Sequence, residues 1–143
     1  MNKRQPPPPA GLFALLHTAQ GAQDHVEARL DTIGLSLAKL AALNVLAEAG
    51  ESLPLGQLAD RLACVKSNIT QLVDRLEADG LVARQSAPTD RRTRLAVMTA
   101  AGRKAWKQGV SIQAEGEREL FKKLSRAEAK QLAALMSKVT ANR

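Results

Sequence analysis

Apolar positions along this chain change spacing from helical to alternating and back. Leu12, Leu15, Leu16, Ala19, Val26 and Leu30 recur at roughly helical intervals and predict an amphipathic helix over 10–31. Gly34 interrupts it. Ser36 is a natural N-cap for a second helix bearing Leu37, Leu40, Ala41, Leu43, Val45 and Leu46. Nearly every position there is small or apolar, which predicts a central helix ending near Gly50. A short extended piece at Leu53-Pro54 precedes a third helix striped by Leu55, Leu58, Ala59 and Leu62. After a turn at Ala63-Cys64, Val65, Ile69, Leu72, Val73 and Leu76 fall on one face of a fourth helix, about 66–79.

Asp79-Gly80 ends that helix, and the period shortens. Residues 81–86 and 93–98 predict two strands around a turn at 88–92, with Leu95, Val97 and Thr99 on one side and Arg94, Ala96 and Met98 on the other. Thr99 caps a long helix, about 100–122, carrying Trp106, Val110, Ile112 and Phe121. Gly109 and Gly116 within it suit either a bend or a close helix approach. Ser125 and Glu128 form a capping box for a last helix with Ala129, Leu132, Leu135, Met136 and Val139. The chain is therefore mostly α with a small β-hairpin. Residues 10–143 form one domain, in which 36–99 hold the short helices and hairpin, flanked by helices at 10–31 and 100–143.

The stretch 55–94 carries the chemistry. Two short helices joined by a tight turn, the second polar near its start, make a helix-turn-helix. Opposite its apolar stripe the second helix presents Ser67, Gln71, Asp74 and Ala78, with Thr70 and Arg75 on the flanks and Asn68 near the N-terminal end. Asn and Gln can bond adenine in two places, and Ser and Thr can bond bases or phosphates. From 81 to 94 there are four arginines, Arg84, Arg91, Arg92 and Arg94, against the single Asp90. A basic hairpin beside such a helix suits phosphates or a narrow minor groove. Taken alone, it is equally a solvated turn.

Composition agrees and excludes alternatives. The 143 residues carry a formal charge of +7, which points to an anionic partner, nucleic acid first. One cysteine excludes an internal disulfide or a multi-Cys metal site and fits a reducing cytoplasm. No apolar run approaches the ~20 residues of a membrane span. Residues 1–9, with Pro6 to Pro9 in succession, read as a disordered tail. His17 and His25 lie eight apart, too far to ligate one metal from one helix. Without a nucleophile–base pair, phosphate loop or metal cluster, the pattern is not that of an enzyme, and no cofactor is expected.

The segment Ile69-Thr70-Gln71-Leu72-Val73-Asp74-Arg75-Leu76-Glu77, then Asp79-Gly80-Leu81-Val82-Ala83-Arg84, resembles the MarR (multiple antibiotic resistance regulator) family pattern [VI]-T-x-L-V-D-R-L-E-x-x-G-L-V-x-R. Asp90-Arg91-Arg92 and Leu95 follow at the expected distance. Met98-Thr99-Ala100-Ala101-Gly102 is similar to the family's L-T-x-x-G. The resemblance covers the chain from about residue 10. It implies a winged helix-turn-helix homodimer with interlocked N- and C-terminal helices. Such a dimer binds a pseudo-palindromic operator in double-stranded DNA, most often as a repressor, and is often released by a small-molecule effector or an oxidant. It further implies that Ser67, Asn68, Thr70 and Gln71 face the major groove and that Arg75 touches phosphate. Arg92 would enter the minor groove, with Arg91 and Arg94 beside it, and Asp90 would steady a wing arginine.

The chain also departs from the family. The fuller wing motif is D-x-R-D-x-R, and its first half here is Ala87-Pro88-Thr89, which throws weight onto Arg92. Ala63 and Cys64 replace the usual turn Gly and Val, and Val65 replaces a capping Ser, leaving Ser67 or solvent to cap the helix. Cys64 has two readings, a redox sensor at the foot of the recognition helix or an inert buried thiol. His17, Arg103 and Trp106 are candidates to line an effector pocket between the first, second and fifth helices, although Trp106 also suits core packing. A winged helix that binds protein rather than DNA is the remaining alternative.

Overall fold

The computed structural model describes residues 11–62 and 68–141. Segment 1–9, the Ala63-Cys64 turn and Ser67 lie outside the described residues. The elements run α1 (Leu12–Asp31), α2 (Leu37–Glu48), β1 (Ser52–Pro54), α3 (Leu55–Arg61), α4 (Ile69–Ala78), β2 (Val82–Ser86), β3 (Arg94–Met98), α5 (Ala100–Phe121) and α6 (Arg126–Thr140). The architecture is mostly helical with one small antiparallel sheet, as the pattern predicts.

α2 is the central helix because nearly all its positions can be buried. Leu40, Ala42, Leu43 and Leu46 lose essentially all contact with water, and Leu30, Leu58, Val73, Leu76 and Val82 close around them. Each such leucine contributes roughly 1.5–3 kcal/mol by leaving water. Ser36 caps the helix by accepting the Lys39 N–H at 3.1 Å.

Two features differ from the sequence expectation. The extended piece at Leu53-Pro54 is a true strand. β1 pairs antiparallel with β3 from Ser52↔Val97 to Pro54↔Leu95, giving the order β1-β3-β2. A three-residue strand is too short for alternation to reveal its partner. The fourth helix starts at Ile69 rather than about 66, and its cap is Asn68 rather than Ser67 or solvent. Asn68 Oδ1 accepts the Thr70 N–H at 3.1 Å.

The joint after α4 is tight. Gly80 takes φ +73°, which favours glycine, so that the Gly80 N–H reaches the Glu77 carbonyl and the Leu81 N–H the Leu76 carbonyl, each at 2.9 Å. Thr99 Oγ1 donates to the Gly80 carbonyl at 2.6 Å and accepts the Gly102 N–H at 3.0 Å. A Cβ at Gly102 would stand 2.0 Å from the Leu81 carbonyl oxygen, so only glycine lets α5 press onto this joint. Gly109 and Gly116 likewise serve close approach, against Leu35 and Leu40 and against Val26.

The large apolar side chains left exposed lie on the first and last two helices and on the turn that joins the last two. Leu12, Phe13, Leu15 and Leu16 of α1 are exposed, as are Phe121 of α5 and Leu135 and Val139 of α6. α6 buries none of its described side chains.

Candidate nucleic-acid interface

α4 stands as a ridge. Its apolar stripe seats Leu72, Val73 and Leu76 in the core, leaving Thr70, Gln71, Asp74 and Arg75 exposed. A trough of about 280 Å³ runs along one side, walled by Ser36, Lys39, Asn68, Gln71 and Arg75 among others. Another of about 310 Å³ runs along the other side, walled by Leu55, Ile69, Thr70, Val73, Arg84 and Arg94. The structure thus brings Asn68, Gln71 and Arg75 to one flank and Thr70 and Arg94 to the other. A narrow ridge with polar tips and flanking hollows is the shape a DNA major groove accepts.

The wing tip is held by its aspartate. Asp90 Oδ1 accepts the main-chain N–H of Arg92 at 2.9 Å, and Oδ2 accepts the Thr93 hydroxyl at 3.2 Å. The Thr93 N–H bonds the Asp90 carbonyl at 3.1 Å, and the Ala87 N–H bonds the Thr93 carbonyl at 2.9 Å. Asp90 therefore steadies Arg92 through its backbone, leaving the guanidinium outward. Arg94 Nη1 reaches only Ser86 Oγ, at 3.4 Å. No described carboxylate pairs with Arg91, Arg92 or Arg94. The tip presents unspent positive charge.

α4 itself is managed differently. Arg84 of β2 bonds Asp74 Oδ1 through Nη2 and Glu77 Oε2 through Nη1, each at 2.5 Å. These two carboxylates raise the arginine's pKa, Asp74 most. Lys39 of α2 pairs with Asp79 at 2.7 Å. Sequence reading counted Arg84 among the DNA-facing arginines of the hairpin and gave Lys39 no role, whereas the structure turns Arg84 onto α4. A signal for Arg84 was present, since Asp74 and Glu77 lie three apart and so share a helix face, with Arg84 next along the chain.

The three residues expected around an effector pocket are engaged separately. His17 is exposed on the outer half of α1. Arg103 forms a two-pronged pair with Glu51, and the Trp106 indole N–H donates to Asn44 Oδ1 at 2.7 Å. Neighbouring Asn44 is a cleft of about 280 Å³ formed by Asn44, Val110, Gln113, Ala114 and Glu117, whose walls include none of the three. Farther along, Glu119 pairs with Arg29, and His25 Nε2 lies 3.4 Å from the same carboxylate. Among the described residues no group of three or more His, Cys, Asp or Glu could hold a metal ion, and no helix is long and apolar enough to cross a membrane.

Comparison with known proteins agrees with this geometry. The MarR family model matches residues 33–93. The HTH-type transcriptional regulator MhqR of Bacillus subtilis is 35% identical over 92 residues, 64% of this chain and 63% of that protein, so the chain spans less than two thirds of the relative's length. A crystal structure of a probable transcriptional regulator from Pseudomonas aeruginosa superposes with TM-score 0.77 at 28% identity, covering 89% of this chain and 94% of that one. A mutant MarR from E. coli complexed with operator DNA has the same fold, with TM-score 0.76, 24% identity, and 90% and 93% coverage. Residues 33–93, which hold the helix-turn-helix and the first strand and tip of the wing, thus match the MarR family, and the fold is that of the solved structures it resembles.

Proposed function

We propose that this protein is a transcriptional regulator that binds double-stranded DNA sequence-specifically. The observation that carries this reading is the pairing of the exposed polar ridge of α4 with a wing tip whose Arg91 and Arg92 have no described carboxylate partner. In this reading Asn68, Thr70 and Gln71, with Ser67, approach base edges, Arg75 bonds phosphate, and Arg92 enters the minor groove between Arg91 and Arg94. That a mutant MarR from E. coli with this fold is found complexed with operator DNA supports the DNA-binding reading.

The exposed apolar surface of α1, α5 and α6 supports a homodimer in which these helices cover one another. Two copies would engage the halves of a pseudo-palindromic operator about one DNA turn apart. Bound at a promoter, such a dimer represses. A small effector relieves it by favouring a dimer whose ridges no longer match the half-site spacing. Its place of action is the cytoplasm, with the chromosome.

The test is a gel shift with the protein's own promoter region and a scrambled fragment of equal length, at physiological salt. Preferential binding to the promoter is expected. Equal binding to both, or none, rejects the reading.

A further inference from the structure

α4 has the wrong charge for a DNA-reading helix. With its cap it carries Asp74, Glu77 and Asp79 against Arg75 alone, two negative charges in excess. Asp74 and Glu77 are 57% and 42% exposed, on the side of the ridge that faces the wing. A phosphate approaching that trough would come within the ~8 Å over which charges act at physiological salt. Yet each of the three carboxylates has a cation from outside the helix. Lys39 holds Asp79, and Arg84 holds both Asp74 and Glu77, one with each arm of its guanidinium. Only 19% of the Arg84 side chain is exposed, and Nη2 also lies 3.5 Å from the Thr70 carbonyl. Arg84 is thus fixed between the strand and α4, along which its partners run from Thr70 to Glu77.

We infer that Arg84 is a positioning residue for the DNA interface, which masks Asp74 and Glu77 and so allows a phosphate backbone to enter the trough between α4 and the wing. It acts through those carboxylates, and its own guanidinium is spent on them rather than on DNA. Arg91 and Arg92 differ, since their side chains stay free for the ligand. This inference rests on the DNA-binding reading above. A lysine cannot replace the arginine fully, because one ammonium lacks the planar fork that serves two carboxylates at once.

The experiment measures operator affinity by fluorescence anisotropy at low and high salt, for wild type, Arg84→Met, Arg84→Lys and the triple variant Arg84→Met/Asp74→Asn/Glu77→Gln. Failure of wild type to prefer its promoter fragment rejects the DNA-binding reading itself. Given wild-type binding, Arg84→Met is expected to bind about tenfold or more weakly at low salt, with the deficit shrinking as salt rises. Arg84→Lys should fall between the two. The triple variant, whose carboxylates no longer need masking, should recover to within about threefold of wild type. A purely structural bridge predicts a salt-independent deficit and no recovery. Masking is overturned if Arg84→Met binds as wild type does. It is also overturned if the triple variant, melting normally, stays as weak as the single one. Should Arg84→Met fail to fold, Arg84→Lys and the triple variant decide the matter by the same salt dependence and recovery.

Discussion

The Glu51 carboxylate receives two hydrogen bonds from the Arg103 guanidinium, from Nε and from Nη2, each at 2.5 Å. The pair ties the start of α5 to the turn after α2. Glu51 there holds φ +74°, a left-handed conformation that costs a non-glycine residue roughly 1–2 kcal/mol. Its N–H bonds the Leu46 carbonyl and its own carbonyl accepts the Met98 N–H, at 2.7 and 2.8 Å. Arg103, first by hydrogen bonding and then by charge, holds the Glu51 carboxyl below its ordinary value of 4.5. A carboxyl depressed in the folded state adds stability above its unfolded pKa and loses it as pH falls through the folded one. Stability of the wild type should therefore decline below about pH 4.5 more steeply than that of Arg103→Gln. Urea unfolding across pH 3 to 6 checks this, and parallel acid limbs would dismiss the pair. Because both groups are exposed, the difference should fade at high salt.

Gly102→Ala and Gly56→Ala should have opposite effects. The new methyl at Gly102 meets the Leu81 carbonyl oxygen at 2.0 Å, whereas Gly56 has nothing within 4 Å of its Cβ position. The first is expected to cost about 3 kcal/mol and the second to add about 0.4–1 kcal/mol, read by thermal or urea unfolding.

Asn68 serves two purposes that substitution can separate. Asn68→Ala removes the cap on Thr70 and should lower stability by about 1 kcal/mol. Asn68→Asp keeps a capping oxygen and should melt close to wild type, while its negative charge still weakens operator binding. Equal melting of the two variants would show that the cap contributes nothing.

At the wing, Arg92→Ala should weaken operator binding while leaving unfolding unchanged. Asp90→Ala should do the same less severely, because it frees the Arg92 N–H and the Thr93 hydroxyl without removing a cation. Unchanged affinity in Arg92→Ala takes the wing out of the mechanism. Gln71→Ala, in contrast, should alter preference at one or two base pairs, and uniform weakening across sequences would make Gln71 a backbone contact.

Charging the exposed apolar side chains of α1 and α6 tests the dimer. Phe13→Glu combined with Leu135→Glu should shift the light-scattering mass of the protein from two chains toward one. A double variant that remains a dimer would mean that α1 and α6 are not the interface.

The sequence disclosed α4 well because its apolar stripe is long and regular, and Leu72, Val73 and Leu76 are buried as that stripe requires. It disclosed the Thr99 cap because the hydroxyl sits directly before a helical run. The partner of β1 was not legible, since pairing Leu53 with Ala96 depends on a contact across 43 positions. The engagement of Arg103 with Glu51 was hidden for the same reason, a separation of 52 residues. Asn68 was read as a base contact, and its capping bond emerges only once the helix start is fixed at Ile69.

The contact of Gly102 with Leu81 makes α5 a lever. The helix is 22 residues long, about 33 Å from joint to far end. Its near end is clamped to the C-terminus of α4 through Thr99 and Gly80. A tilt of only about 5° at that clamp moves the far end by about 3 Å, as simple trigonometry on that length requires. If the proposed effector acts at the distal end of α5, a shift there by the width of two bonds would correspond to a few degrees at the joint with α4.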